Sequence, residues 1–181
     1  MKQPWRGLLI AGVCLLAAWA GYRAGRPTAE PVTSQVDSQA LPRLLAAPLT
    51  DLTGRPHTLA ETKGKLRVIN LWAAWCPPCR AEMPAFARIQ RKFAENNVKF
   101  IGIALDEAKP VREFLTTTPV DYPVFLAPTD LLGLSAALGN GPQGLPFTFI
   151  LDEGNTIVAT KLGQWQEADL TATLSRLLAR P

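Results

Sequence analysis

The sequence predicts an α/β fold with a central mixed sheet flanked by helices, and two features of the chain support this. The first is a strand–helix–strand order, with apolar runs at 66–72 and 98–105 separated by a helical pattern. Such a crossover joins parallel strands and is right-handed, and near-continuous apolar strands are typical of sheets covered on both faces. The second is Glu153-Gly154-Asn155, a hairpin signal between two later strands, which adds an antiparallel pair.

The length and charge of the chain narrow its class. At 181 residues it has room for one domain with additions. Lys2, Arg6, Arg23 and Arg26 contribute to the net charge of +4 but lie at the N-terminus; of nineteen basic residues fifteen remain beyond Asp37, against thirteen acidic ones. A nearly neutral folded part argues against nucleic acid as a partner. Three cysteines do not make a disulfide scaffold, but they permit one redox-active bond in an oxidising compartment.

Residues 1–25 are predicted to be a targeting segment. Lys2 and Arg6 precede the uninterrupted apolar run Leu8–Ala20. A cleaved signal peptide fits, with Ala18-Trp19-Ala20 as an A-x-A site, and so does a signal-anchor spanning roughly Gly7–Gly25. We favour the anchor because no polar region separates the apolar run from the A-x-A sequence. Either segment would export the domain.

A polar, proline-bearing stretch at 26–40 follows and indicates a flexible tether, which puts the folded domain at 41–181. Cys14 lies inside the apolar run after the bulky Val13, so we interpret it as an apolar filler and not as a lipidation site.

The domain opens with a predicted β-hairpin formed by Leu44–Leu52 and His57–Leu59, with His57 as a surface strand residue. The central strand Leu66–Trp72 comes next. A helix is predicted over about Pro77–Asn96, bent at Pro84.

The second half alternates strands and helices and ends in a helix whose leucines form one apolar stripe. The predicted elements are strand Val98–Leu105, helix Lys109–Thr117, strand Pro123–Leu126, helix Asp130–Leu138 capped by Asp130 or Thr129, loop Gly139–Gly144, strands Phe147–Asp152 and Thr156–Lys161, and helix Gln166–Ala179.

Two cysteines, Cys76 and Cys79, stand where the central strand gives way to a helix, with Pro77-Pro78 between them. Proline suits the first turn of a helix, and the free N–H groups and dipole there favour an anion. A thiol so placed can have its pKa lowered from about 8.5 into the range of roughly 3.5–7.5. A structural zinc site is the rival interpretation, but it needs four ligands and the chain adds only Cys14 and His57. We therefore predict a redox pair and no metal.

The run WAAWCPPCRAEMP resembles the active site of the thioredoxin superfamily, and more narrowly of its TlpA/ResA-like and cytochrome c maturation (CcmG-like) branch. Asn70 stands where thioredoxins proper carry a buried aspartate, and Glu82 matches the acid of this branch. Gly144-Leu145-Pro146 before a strand is similar to the cis-proline loop of the superfamily. The resemblance runs from about Leu41 to the C-terminus. It implies a thioredoxin-like fold with an N-terminal β-hairpin and a central insertion.

Roles for the site residues follow. Cys76 is predicted to be the attacking thiolate and Cys79 the resolving thiol. A cis Pro146 would hold Leu145 extended so that its backbone pairs with a substrate strand, and Trp75 would form an apolar wall.

For Glu82 two interpretations stand: a solvated helix carboxylate, or an acid near the sulfurs that raises the thiol pKa or moves a proton. The resemblance favours the second. Asn70 cannot ionise, so part of the proton-accepting task would fall to Glu82. Trp72 is assigned to the core.

The resemblance implies an exported, membrane-tethered thiol-disulfide oxidoreductase that reduces disulfides in exported proteins, for example in cytochrome c maturation. It implies a membrane electron donor of the DsbD/CcdA type as a partner and no cofactor beyond the Cys76–Cys79 disulfide. The rivals are a DsbA-like oxidant and a metal-handling or holdase module on the same fold. Copper chaperones of this fold use CxxxC with a distal histidine, and this chain has CxxC and no histidine after Cys79. A peroxidase is disfavoured because Ala73 takes the place of the required threonine.

Overall fold

A computed structural model describes residues 39–180. Seven strands and five helices occur in this range, together with two short 3-10 turns, Leu59–Glu61 and Ala94–Asn96. The elements are α1 (Ala40–Ala46), β1 (Leu49–Asp51), β2 (Pro56–His57), β3 (Leu66–Trp72), α2 (Pro77–Lys92), β4 (Val98–Ala104), α3 (Ala108–Thr117), β5 (Val124–Leu126), α4 (Leu131–Ala136), β6 (Phe147–Asp152), β7 (Ile157–Leu162) and α5 (Glu167–Leu178).

The strands form one mixed sheet in the order β2-β1-β5-β4-β3-β6-β7. β3, β4 and β5 run parallel, while β1 and β6 pair antiparallel with their inner neighbours β5 and β3. β2 and β7 extend the two edges as antiparallel hairpin partners. The predicted mixed α/β sheet, with its N-terminal hairpin, is confirmed.

The central strand β3 is buried along its whole length, and its side chains alternate between the two faces of the sheet. Val68 and Trp72 belong to a core cluster with the buried residues of α2, α3 and α5. Ile69 and Leu71 belong to a second cluster with the buried residues of α1 and α4. Both cysteines lie in the first cluster, so the face bearing α2 carries the redox motif.

The first predicted strand is wrong at its N-terminal end. Ala40–Ala46 is a helix, and the strand that follows is only Leu49–Asp51. The reason is that Ala40 and Leu44, four residues apart and both fully buried, face the core together, which is the spacing of a helix. Ala40, expected to end the tether, is thus the first residue of α1.

The second half of the chain follows the prediction with shifts of a few residues at most element ends. α2 continues through Pro84 and stops at Lys92, after which a separate 3-10 turn completes the predicted span to Asn96. α4 is shorter than predicted at both ends, and Asp130 occupies its N-cap position without a side-chain capping bond. The closing helix buries Leu170, Leu174 and Leu177, as the stripe predicts.

The predictions for the targeting segment at 1–25, and for most of the tether, fall outside the described residues. Within residues 39–180, none of the helices has the length and apolar character needed to cross a bilayer.

Candidate active site

Cys76 occupies the N-cap position of α2, with extended backbone angles (φ −93°, ψ 104°). It forms a disulfide with Cys79, and the two Cα atoms lie 5.3 Å apart. The loop that leads from β3 to this point is closed by a hydrogen bond from the Cys76 N–H to the Ala73 carbonyl, 3.1 Å. The strand-to-helix placement predicted for the motif is confirmed.

Pro77 and Pro78 fill the first two positions of α2. An N-cap side chain ordinarily accepts hydrogen bonds from the N–H groups of the second and third helical residues. The second is Pro78, which has no N–H. After reduction, the Cys79 N–H is therefore the single donor of that pair that can serve a Cys76 thiolate.

The two cysteines differ in access. Cys76 keeps 3% of its surface exposed, while Cys79 has none. Beside them Trp75 is 67% exposed, one of two large apolar side chains in residues 39–180 with more than a third of their surface exposed, whereas Trp72 is fully buried. Of the two cysteines, Cys76 is thus the one with any exposed surface, while its role as the attacking sulfur and that of Trp75 as an apolar wall stay predictions.

Glu82 lies one helical turn beyond Cys79, on the same face of α2. It is 1% exposed, so its interpretation as a solvated carboxylate is wrong. Its Oε1 accepts a hydrogen bond from Asn70 Nδ2 at 2.9 Å, and its Oε2 accepts one from the Trp165 N–H at 2.8 Å. Asn70 stands where thioredoxins carry a proton-accepting aspartate, a task predicted to fall partly to Glu82. The buried Asn70 is in direct contact with that carboxyl.

Burial raises the pKa of Glu82 to about 7, and the two hydrogen bonds oppose this only in part. A carboxyl with such a pKa exchanges its proton near neutral pH, which suits a general acid or base. Tyr122, buried on the same face of the sheet, has its pKa raised first by burial and then by the negative charge of Glu82.

The loop before β6 lies at the same end of the strands as the cysteine motif. β6 runs antiparallel to β3 with Phe147 opposite Leu71, so the start of β6 stands beside the end of β3. The Leu145–Pro146 bond is cis, as predicted. Within residues 39–180 the N–H and C=O of Leu145 form no backbone hydrogen bond, which leaves both groups available to a bound chain.

Asn140 is a site residue that sequence reasoning missed. Its side chain is fully buried and bonds both to Gly144, next to Leu145, and to Ser135 on α4. The segment GNGPQG showed only a glycine-rich loop, and an asparagine there is ordinarily a turn residue.

Two further contacts shape the surface on the other side of Cys76. Asp106 accepts a hydrogen bond from the Ala74 N–H at 2.9 Å and so fixes the loop that carries Trp75. The guanidinium of Arg80 lies over the ring of Phe114, 5.1 Å from its centroid. Neither residue stood out in the sequence, because the bond of Asp106 joins loops thirty-two residues apart and the contact of Arg80 depends on the packing of α3 beside α2.

His57 is partly exposed on β2, beside Asp51 at 3.4 Å and Glu61 at 3.5 Å. It lies on the hairpin at the far edge of the sheet from β6, as expected of a surface strand residue. Among residues 39–180, no group of three or more His, Cys, Asp or Glu side chains is arranged to hold a metal ion.

Known proteins are similar to this chain in sequence and in fold. A family model described as Redoxin matches residues 30–174. Thioredoxin-like protein YneN of Bacillus subtilis is 32% identical over 130 residues, covering 70% of this chain and 73% of YneN. Thiol-disulfide oxidoreductase ResA of Bacillus cereus is 30% identical over 131 residues, covering 71% of this chain and 73% of ResA. A thioredoxin-related protein from Neisseria meningitidis serogroup B superimposes with a TM-score of 0.65 at 31% identity, over 73% of this chain and 99% of that one.

Proposed function

Because this chain belongs to the Redoxin family and is a TlpA/ResA-like thiol-disulfide oxidoreductase, we propose that it acts as a reductase of disulfides in exported proteins. Its catalytic residues are Cys76 and Cys79, assisted by Glu82. The observation that carries the direction of electron flow is the pair of prolines at the start of α2.

The reaction transfers two electrons through a mixed disulfide. The Cys76 thiolate attacks one sulfur of the substrate disulfide, which breaks and releases one substrate thiolate. Cys79 then loses its proton and attacks Cys76 Sγ, so that the intramolecular disulfide forms and the second substrate thiolate leaves. Glu82, one turn beyond Cys79 and with a pKa of about 7, is the group that takes this proton. A dithiol donor in the membrane, of the DsbD/CcdA type, would then reduce the Cys76–Cys79 bond again.

A strong oxidant of this fold owes its high potential to a stabilised thiolate in the reduced form. Here Pro78 removes one of the two N–H donors that could stabilise a Cys76 thiolate, and no positive charge lies between the cysteines. The reduced form is therefore stabilised less, and we expect a potential of about −180 to −270 mV, between protein disulfide isomerase and thioredoxin.

Equilibrating the purified protein with glutathione buffers and reading the redox state of Cys76 and Cys79 tests this proposal. A Cys14→Ser background keeps the third cysteine out of the readout. A potential near −120 mV, that of a strong disulfide-forming oxidant, would mean that the protein makes disulfides, and the reductase proposal would fall.

Substrate binding is proposed at Leu145, Pro146 and Trp75, because the cis-proline loop stands at the end of β3 that leads to the cysteine motif and Trp75 is next to Cys76 in the chain. The free N–H and C=O of Leu145 support this, because an extended substrate chain can pair with both groups. The exposed indole of Trp75 supplies apolar contact on the other side of Cys76. A substrate disulfide would thus approach as part of an extended segment.

The setting in the cell is proposed as the periplasmic face of the inner membrane, with residues 1–25 as anchor and the following stretch as tether. The basic residues and apolar run of the first 25 residues support export, and a soluble periplasmic form would result if that segment is cleaved. Substrates on the route to cytochrome c are one candidate class. A Cys79→Ala variant, which cannot resolve its mixed disulfides, would retain substrates on Cys76 for identification. If all the proteins trapped on Cys76 in intact cells were cytoplasmic, the proposal that the domain is exported would be contradicted.

A further inference from the structure

We propose that Asn140 is a positioning residue that fixes the substrate-binding loop Gly144-Leu145-Pro146 to helix α4. The proposal deepens the substrate site described above and rests on it, since it concerns how that loop is held ready for an extended chain. It gives the segment between β5 and β6 a part in substrate binding, although no side chain of α4 belongs to the redox motif.

The side-chain amide of Asn140 binds both sides of one residue of the loop. Its Oδ1 accepts a hydrogen bond from the Gly144 N–H at 2.9 Å, and its Nδ2 donates one to the Gly144 carbonyl at 3.0 Å. Two bonds in opposite directions fix the rotation of Gly144 as well as its position. Because Gly144 is joined directly to Leu145, the orientation of the free Leu145 N–H depends on this contact.

Asn140 is itself held by α4. Its Nδ2 also donates to Ser135 Oγ at 2.9 Å, and its backbone N–H donates to the Ser135 carbonyl at 3.0 Å. Ser135 is fully buried, and its hydroxyl donates to the Leu132 carbonyl at 2.6 Å. The chain of bonds therefore runs without interruption from the helix to the residue that precedes Leu145.

The contact needs an amide. Asparagine offers one acceptor and two donor hydrogens, and here the oxygen serves the Gly144 N–H while the nitrogen serves the Gly144 carbonyl and Ser135. Aspartate would keep the acceptor and lose both donors. Alanine would lose all three bonds and leave the partly buried N–H and C=O of Gly144 without this partner.

The intervening turn keeps the two partners at this distance. The Gln143 N–H donates to the Asn140 carbonyl at 2.8 Å, and Gln143 adopts a left-handed conformation with φ 54°. The segment 140–143 thus folds back on itself and brings Gly144 against the Asn140 side chain. The turn and the Asn140 amide together fix the position of Gly144, so the loop is already positioned before a substrate binds.

The test compares a peptide disulfide with a small one. In a full-length Cys14→Ser, Cys79→Ala background, Cys76 is the one remaining thiol. It is reacted with an extended decapeptide whose cysteine is joined to 2-nitro-5-thiobenzoate, and separately with 5,5′-dithiobis(2-nitrobenzoate). Attack by Cys76 breaks the disulfide and releases thionitrobenzoate in both reactions, so one absorbance follows both rates. The peptide can use the Leu145 backbone, while the small disulfide cannot.

We expect Asn140→Ala to lower the ratio of the peptide rate to the small-disulfide rate by about tenfold or more, since misplacing a binding group by 1 Å can cost about a hundredfold. The ratio for Asn140→Asp should lie between those of the wild type and Asn140→Ala. Ser135→Ala, which spares both Gly144 bonds, should lower the ratio least. Asn96→Ala, on the exposed turn after α2, is the matched control. Circular dichroism confirms folding, and if Asn140→Ala is unfolded the order of Asn140→Asp and Ser135→Ala decides.

An unchanged ratio in Asn140→Ala, whether both rates stay the same or fall equally, would overturn the proposal. So would a shift in the pH dependence of the small-disulfide reaction, because that would place Asn140 in the chemistry of the sulfur and not in the loop. The first attack by Cys76 has the same form whichever way electrons flow overall. A failure of the reductase proposal in the glutathione experiment is therefore distinguishable from a failure here.

Discussion

The carboxyl of Glu82 is held in the interior by the side chain of Asn70 and the backbone of Trp165, and its burial ties the stability of the domain to pH. Its pKa rises from 4.5 to about 7 on folding. Between these values the folded protein holds a proton that the unfolded chain has lost, so the stability that Glu82 contributes is fully present below pH 4.5 and is lost as pH rises toward 7. The loss is about 3 kcal/mol over the whole interval.

Denaturant unfolding of the oxidised protein, measured from pH 4 to pH 8, should show this decline, and Glu82→Gln should remove it because glutamine does not ionise. The oxidised state is chosen because disulfide-bonded cysteines do not titrate. Glu95→Gln, on the exposed turn after α2, is the matched control and should keep the wild-type slope. A slope that survives in Glu82→Gln would assign the pH dependence to another group.

The same carboxyl should affect the sulfurs in the reduced protein. A negative charge one turn from Cys79 disfavours a second negative charge nearby. In Glu82→Gln we therefore expect the midpoint for alkylation of Cys76 to move to lower pH, with the domain still folded by circular dichroism. Tyr122, the other titratable group that senses Glu82, is buried and stays protonated in this range. An alkylation curve identical to that of the wild type would show that Glu82 does not act on the thiols.

At the scale of elements, the start of α2 sets how well a Cys76 thiolate is stabilised. Pro78→Ala supplies the missing N–H at the second helical position, where it points at the N-cap. One more charge-assisted hydrogen bond, worth about 1.5 kcal/mol, should raise the reduction potential by about 30 mV. Pro77→Ala is the matched control, because an N–H at the first position does not reach the N-cap side chain. Equal shifts in the two variants would count against the explanation.

Helix α1 gives a second test at this scale. Leu44 is fully buried against the second face of the sheet, whereas Leu41 on the same helix is only partly buried. Leu44→Ala should lower the free energy of unfolding by about 2–5 kcal/mol, and Leu41→Ala by clearly less. Chemical denaturation of both variants measures the difference. Similar losses would contradict the helical arrangement of residues 40–46.

How far the sequence predicts the structure differs between elements. β3, β4 and α5 are predictable, because continuous apolar runs and a leucine stripe are local signals. α1 is not, because the apolar run from Leu44 fits a helix or a strand until its packing partners are known.

The site shows the same division. The Cys76–Cys79 pair is visible in the motif, but the burial of Glu82 depends partly on Trp165, eighty-three residues away. The bonds of Asn140 to Gly144 arise from a turn that a glycine-rich sequence does not specify.

On the scale of the whole molecule, the sheet separates two kinds of structure. One face carries α2, α3 and α5 with the disulfide, Glu82 and Tyr122. The other carries α1 and α4. Asn140 bridges the second group to the loop beside the sulfurs, so α4 can influence substrate binding without contacting the redox pair.

In the oxidised protein Cys76 has a small exposed surface and Cys79 has none. A partner thiol that reduces this bond therefore has access to Cys76 and not to Cys79, so geometry favours Cys76 as the sulfur that it attacks. A cysteine on a protruding or unfolded segment can be brought into bonding distance of so recessed a sulfur more easily than one packed inside a folded protein. We would therefore expect cysteines buried inside folded proteins not to react, so that the enzyme selects its substrates by their state of folding and not by their sequence.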